Sequence, residues 1–204
     1  MIARLFDYSS DKGSPWVNCQ PGQCSYGNRI TASIISKRAP GVYDLWDSYN
    51  GGVLLSPSHT TIKCSYSRDG FTYNIYPDGC PADDCVDNNC GVYYCNGIGD
   101  EFWWKCGWRA NQLSQMLSMH EARRSQGADH TDYNEIVVDV DNYLHALPHS
   151  IEAFFYTAWA DEGQKQYVIG AHSSFKHSFR HAAAVPLLKY DPGGSNSAPF
   201  VRVS

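Results

Sequence analysis

The chain has 204 residues, 43% of them apolar, and a formal net charge of −5 at pH 7, so it can build one ample core or two small ones. Its basic residues form no cluster longer than the pairs Lys37-Arg38 and Arg123-Arg124, which excludes the row of cations that nucleic acid requires. No apolar run approaches the roughly 20 residues that span a bilayer, and the opening residues lack the long apolar segment of a signal peptide.

Cysteines and aromatic residues indicate the compartment. Aromatic residues reach 14% while charged residues are only 18%, a balance typical of extracellular domains. The eight cysteines are an even number and all precede residue 107, which predicts disulfides in a secreted or lumenal protein. Structural zinc is the alternative, but the short gaps are C-x4-C rather than C-x2-C. The predicted disulfide cysteines are Cys19, Cys24, Cys64, Cys80, Cys85, Cys90, Cys95 and Cys106.

The first half of the chain is predicted to be mostly β-structure with many turns. Polar and apolar residues alternate in RITASIISK, as they do in a half-buried strand. Arg68-Asp69-Gly70 is typical of a tight turn and predicts a hairpin. The strands predicted in this half are 29–37, 52–56, 60–67 and 71–76.

Two amphipathic helices are predicted in the second half. Residues 110–125 place Leu113, Met116, Leu117 and His120 on one stripe, and residues 162–183 carry a second stripe that includes Val168 and Phe175. The strands predicted between and after them are 133–140, 151–159 and 185–191.

Together these elements predict an α+β fold with a mixed or antiparallel β-sheet, two main helices at about 110–125 and 162–183, and a disulfide-rich loop region. We expect a single domain over residues 1–204. A division into a cysteine-rich, β-rich half (1–106) and a cysteine-free α/β half (107–204) is the alternative.

The segment from Asp78 to Trp108 is acidic, and four of its cysteines recur every fifth residue. Its carboxylates could supply the hard oxygen ligands of a calcium ion on a loop closed by disulfides. The spacing differs from the EF-hand pattern, and solvated acids in turns are the alternative interpretation. The calcium candidates are Asp78, Asp83, Asp84 and Asp87.

Aromatic side chains at the end of the same segment are candidates for ligand binding. An exposed indole beside carboxylates suits a sugar, because its face stacks on C–H groups while the acids accept hydroxyl hydrogens. The alternative is that these rings pack in the core, as large aromatics usually do. The candidates are Tyr93, Tyr94, Trp103, Trp104 and Trp108.

Two strand glutamates, Glu135 and Glu152, could act as paired carboxylates in glycoside hydrolysis if their strands are neighbours. His120, on the stripe of the first helix, could join them as an acid or base, although a hydrogen-bonded core histidine is the alternative. His177 and His181 lie four residues apart, but the H-E-x-x-H signature of a metalloprotease is absent.

These observations favour a secreted, disulfide-stabilised binding domain whose partner is a carbohydrate or an extracellular protein. A small secreted glycan hydrolase is the first alternative. A structural subunit of an extracellular assembly is the second. Nucleophile elbow, P-loop and dinucleotide-binding motifs are all absent from the sequence, so whether the chain is an enzyme stays open at this point.

Overall fold

A computed structural model describes residues 1–5, 29–35, 37–39, 42–43, 50–66, 107–127, 134–139, 149–193 and 199–203. Contacts between Cα atoms divide the chain into two compact units. Unit 1 comprises Met1–Asn28, Ile34–Thr60 and Val140–Ser204, and unit 2 comprises Arg29–Ser33 and Thr61–Asp139.

The helices and strands are numbered in chain order. The strands are β1 (Ile2–Leu5), β2 (Arg29–Ile34), β3 (Lys37–Ala39), β4 (Val42–Tyr43), β5 (Gly51–Leu55), β6 (Thr61–Tyr66), β7 (Gly107–Arg109), β8 (Glu135–Asp139), β9 (Ile151–Thr157), β10 (Leu187–Tyr190) and β11 (Phe200–Arg202). The two long α-helices among the described residues are α1 (Leu113–Ser125) and α2 (Glu162–Ser178). Short 3-10 turns cover Pro57–His59, Ala110–Gln112 and Arg180–Ala184.

The sheet of unit 1 is mixed. Its strand order is β11-β10-β9-β5-β1; β9 and β10 are parallel and α2 connects them, while the other pairs are antiparallel. The predicted α+β class, with a mixed sheet and two main helices, is therefore confirmed. The predicted disulfide-rich loop region lies outside the described residues, apart from the backbone of Cys64 in β6.

Helix α2 begins with a capping box. The Oδ1 atom of Asp161 accepts a hydrogen bond from the backbone N–H of Gln164 at 2.8 Å, and Oε1 of Gln164 accepts one from the N–H of Asp161 at 2.9 Å. These bonds satisfy two of the donors that a helix start leaves unpaired. The helix ends at Ser178 rather than at the predicted residue 183, and the chain continues as the 3-10 turn Arg180–Ala184.

Both faces of the unit 1 sheet are buried at its centre. On the face that α2 covers, Phe154 packs against His172 and Phe175, with ring centroids 5.3 and 5.2 Å apart. On the other face, Phe155 contacts Tyr190 and Phe200, with ring centroids at 6.3 and 5.4 Å. Burial on both sides is why IEAFFYT in β9 is a continuous apolar run broken only by its glutamate.

Unit 2 contains an antiparallel sheet with the order β2-β8-β6-β7. Helix α1 packs on β6 and β7 and buries Met116, Met119 and His120. The predicted stripe was partly wrong, because Leu113 and Leu117 are only half-buried. The predicted strand 71–76 and its hairpin turn lie outside the described residues.

Candidate functional site

The carboxyl ends of β9 and β10 lie at one edge of the unit 1 sheet, because the two strands are parallel. The backbone N–H of Ala158 donates to the carbonyl of Tyr190 at 2.8 Å, which joins the turn after β9 to the end of β10. We call the residues of this edge, Ala158–Glu162 and Lys189–Asp191, the carboxyl rim. In open sheets with parallel strands, ligands commonly bind outside this edge.

Trp159 stands at the carboxyl rim with 40% of its surface exposed. Its ring meets the ring of Tyr190 edge-on, at 5.8 Å and 81° between planes. Tyr190 is fully buried and packs in turn on Phe200 at 4.9 Å. The neighbours of Trp159 in sequence are Ala158 and Ala160, whose methyl groups are too small to cover an indole. The indole ring therefore packs against Tyr190 on the protein side and is accessible to solvent on the other side.

The charges of the carboxyl rim are mostly paired with one another. Lys189 Nζ lies 3.1 Å from the carboxylate of Asp191, and Asp161 is occupied in the capping box of α2. Lys165, one turn into α2, lies 3.5 Å from Glu162 and 5.7 Å above the ring of Tyr156.

Glu162 receives hydrogen bonds from both neighbours on the helix. The amide of Gln166 donates to its carboxylate at 2.7 Å and Lys165 donates at 3.5 Å. The Gln166 bond, followed by the charge of Lys165, lowers the pKa of Glu162 below its ordinary value. The carboxylate therefore stays ionised at the rim over the whole neutral and mildly acidic range.

A second group of polar rings lies at the opposite edge of unit 1, where β9 begins. His149 and His181 are exposed and stacked, with ring centroids 4.0 Å apart and 17° between planes. His181 also touches Phe175 and Phe179, at 6.3 and 5.8 Å. It lies in the 3-10 turn rather than on the predicted helix face with His177.

The stacked histidines are not a metal site in this arrangement. A histidine binds a metal through a nitrogen lone pair in the plane of its ring, and the lone pairs of two parallel stacked rings do not converge on one ion. In the part of the chain that the structure describes, no group of three or more His, Cys, Asp or Glu side chains could hold a metal ion.

The two candidate catalytic glutamates lie on strands that do not pair with each other. Glu152 is exposed on β9, whose neighbours are β5 and β10. Glu135 lies on β8 opposite Tyr66, and the neighbours of β8 are β2 and β6. The strand pairing that would bring the two carboxylates together is therefore absent. His120 is buried in α1, with 1% of its surface exposed.

The predicted ligand-binding and calcium residues fall largely outside the described part of the chain. Trp108 is described; it lies on β7 with 7% of its surface exposed, so little of its ring is open to a ligand. Sequence reasoning missed Trp159, whose only signal is a tryptophan between two alanines directly after a strand. The candidates outside the described residues are Tyr93, Tyr94, Trp103, Trp104, Asp78, Asp83, Asp84 and Asp87.

Comparisons with family models, curated proteins and solved structures found no match for this chain. Among the described helices, none is long and apolar enough to cross a bilayer.

Proposed function

We propose that the chain is a secreted, disulfide-stabilised binding domain and that Trp159 is a stacking platform for a sugar ring of a glycan. The observation that carries this proposal is the contact of a partly exposed indole with a buried ring. The rings of Trp159 and Tyr190 lie 5.8 Å apart at 81° between planes, while 40% of Trp159 is exposed.

A supported ring favours binding because little freedom is lost when the ligand arrives. Backbone hydrogen bonds fix the turn on both sides of Trp159: Ala158 N–H donates to Tyr190 O at 2.8 Å and Ala160 N–H donates to Thr157 O at 3.2 Å. Ordering a mobile side chain at an interface costs about 0.5–1.5 kcal/mol. An indole that is already held in place avoids most of that cost.

A carboxylate close to the indole in sequence suits a polyhydroxylated ligand. Asp161 is exposed and lies two residues after Trp159, and carboxylate oxygens accept hydrogen bonds from hydroxyl groups. Aromatic stacking against C–H groups supplies contact area, and the carboxylate supplies direction. This combination favours a carbohydrate over a flat apolar ligand.

Secretion and disulfide formation are supported by composition alone. The even cysteine count and the low fraction of charged residues favour an oxidising compartment. Reduced and non-reduced mass analysis after thiol alkylation tests this part: eight unlabelled cysteines in the native protein are expected, and free thiols throughout would contradict it.

The binding proposal is tested by glycan-array screening and affinity electrophoresis in polysaccharide gels. Trp159→Ala is expected to weaken binding of the glycan that the natural protein retains by about 30-fold, the effect of removing about 2 kcal/mol of a central aromatic contact. Trp159→Phe keeps a ring and is expected to lose less.

Val201→Ala is the matched control, since Val201 is also 40% exposed. Val201 pairs with Lys189 on β10, and residues that are directly opposite on neighbouring strands share a face of the sheet. Lys189 and Tyr190 are consecutive in β10, so their side chains point to opposite faces. Val201 therefore lies on the face opposite Tyr190. Binding by this variant is expected to equal that of the natural protein. Equal glycan binding by Trp159→Ala and the natural protein would refute the proposal.

A further inference from the structure

Strand β11 lies at one end of the unit 1 sheet and has an open outer side. It ends the strand order β11-β10-β9-β5-β1, so within the described part of the chain no strand pairs with that side. We propose that this edge pairs antiparallel with β11 of a second copy of the chain, about a two-fold axis at Val201. The two unit 1 sheets then join into one continuous sheet.

Hydrogen bonds between β10 and β11 show which backbone groups point outward. The N–H of Asp191 donates to the carbonyl of Pro199 at 2.7 Å, and the N–H of Val203 donates to the carbonyl of Leu187 at 2.8 Å. Along an antiparallel strand, backbone groups point alternately to one neighbour and to the other. The odd-numbered residues of β11 therefore face β10, and the even-numbered residues face outward.

The outward groups of β11 are complementary to themselves. Phe200 and Arg202 present two N–H and two carbonyl groups at the outer edge. Pairing about Val201 sets Phe200 of each copy opposite Arg202 of the other, and the two pairs exchange four hydrogen bonds. Natural edges are often protected by a proline, but the nitrogen of Pro199 faces β10, so no donor is lost from the outer edge.

Exposed valines favour this register. Val201 and Val203 are 40% and 50% exposed, and they share a face of the sheet because they lie two residues apart. With the axis at Val201, the two copies of that side chain become direct neighbours at a position where opposite strands approach most closely. A register centred on Arg202 would instead set two arginines directly opposite each other, which is unfavourable.

Helix α2 leaves room for the second copy. It packs on β9 and β5, and neighbouring strands lie about 4.8 Å apart, so β9 is about 12 Å from the axis and the two copies of α2 are at least about 24 Å apart. Packed helices need only about 8–10 Å. The contact is nevertheless small, since β11 has three residues. It buries less than the roughly 1,200 Å² of a stable interface, so we expect a weak dimer that forms at concentrations on the order of 0.1 mM.

Sedimentation equilibrium of the full chain tests the dimer without any glycan, so its outcome is independent of the proposed function. Between about 10 µM and about 1 mM, a range that brackets a weak association, the average mass is expected to rise from one chain towards two and no further. A single-chain mass throughout would overturn the inference and leave the edge to an extended segment of another protein.

Two lysine variants separate the edge from net charge. Val201→Lys sets two like charges opposite each other across the axis and is expected to remain a single chain over the whole range. Ser174→Lys adds the same charge at an exposed position of α2 and is expected to dimerise like the natural protein. Circular dichroism confirms that both variants are folded. Dimerisation of Val201→Lys to the natural extent would contradict pairing through β11.

Oxidative cross-linking tests the register itself. Cα atoms of a directly opposite, non-hydrogen-bonded pair lie about 4.5 Å apart, a distance that a disulfide bridges. Val201→Cys is therefore expected to give a covalent dimer that peptide mass spectrometry shows to be linked through residue 201.

Val203→Cys is the matched control for the cross-link. Val203 is at least as exposed as Val201, but it lies opposite Pro199 of the second copy, so the two copies of residue 203 are more than about 10 Å apart. This variant is expected to stay unlinked through residue 203. Equal cross-linking of the two variants would show that the copies meet by chance, and it would overturn the inference.

Discussion

The imidazole of His172 and the backbone carbonyl of Val185 are joined by a 2.8 Å hydrogen bond from Nε2. A carbonyl oxygen only accepts, so Nε2 carries the hydrogen. The bond links the middle of α2 to the residue that precedes Pro186 and β10, and it holds the buried imidazole against Phe154. It therefore fastens the helix to the second strand of the parallel pair.

Replacing His172 by phenylalanine is expected to lower the free energy of unfolding by about 1–3 kcal/mol. The substitution keeps an aromatic ring against Phe154 but leaves the Val185 carbonyl without this donor. Urea unfolding monitored by circular dichroism measures the change. His177→Phe, at an exposed position of the same helix, is the control and is expected to stay within about 0.5 kcal/mol of the natural protein. Equal stability of the two variants would show that the bond is not needed.

Close packing between α2 and the sheet depends on Gly51. A Cβ atom at this position would lie 2.6 Å from both the carbonyl oxygen of Phe155 and Cγ2 of Val168. Gly51→Ala is therefore expected to destabilise the protein by about 1–3 kcal/mol, as overpacking does. Adding Val168→Ala is expected to restore only part of the loss, since the contact with the Phe155 backbone persists. Thermal unfolding of the single and double variants checks both expectations.

Gly170 provides the control for Gly51. It is exposed on α2, and a Cβ atom there would meet nothing within 4 Å. Gly170→Ala is expected to stabilise the protein by up to about 1 kcal/mol, because alanine has the higher helix propensity. A destabilising Gly170→Ala combined with a neutral Gly51→Ala would contradict the packing described for α2.

Sequence periodicity predicted the elements that are long enough to show it. Both α-helices and most of the longer strands were found within a few residues, because a 3.6-residue or two-residue repeat is visible over that length. Strands β1, β3, β4, β7 and β11 were missed. They have two to four residues each, too few for a repeat, and they form only because neighbouring strands offer hydrogen-bonding edges.

The candidate site could be predicted less well, since it depends on pairing between distant parts of the chain. Glu135 and Glu152 are close in sequence, yet β8 pairs with strands around residues 30 and 64 while β9 pairs with β5 and β10. Nothing local specifies such partners. Trp159 is a candidate binding residue because its ring packs on Tyr190. The two residues meet only because β9 and β10 pair in parallel.

The amino group of Met1 gives the stability a dependence on pH. It donates to the carbonyl of Ile35 at 3.0 Å, and partial burial lowers its pKa from the ordinary value of 8.0. Between the lowered pKa of the folded state and the ordinary value of 8.0, the unfolded chain binds more protons than the folded chain. The free energy of unfolding therefore rises with pH through this range, and the increase is complete above pH 8.0.

Acetylation of Met1 isolates this contribution, because the acetylated nitrogen cannot ionise but can still donate to Ile35. Stability curves of the two proteins are compared between pH 6 and pH 9, a range of about three units around the ordinary pKa of an amino group. Their difference is expected to shrink as the pH rises. Parallel curves would show that burial of this amine has no effect on folding.

Titration of Glu162 is expected to reveal the hydrogen bond from Gln166. The pKa of this exposed carboxyl is lowered from 4.5, first by the Gln166 bond and then by the charge of Lys165, so its nuclear magnetic resonance titration should have a midpoint below 4.5. Because its pKa is lowered in the folded state, ionised Glu162 slightly stabilises the fold. This stabilisation is complete above the pKa of the unfolded state and is lost as the pH falls through the pKa of the folded state. Gln166→Ala is expected to raise the midpoint of this titration. Added salt is expected to reduce the pKa shift that remains in this variant, because that shift comes from the charge of Lys165, which salt screens. An unchanged midpoint in Gln166→Ala would show that the amide does not bind the carboxylate in solution.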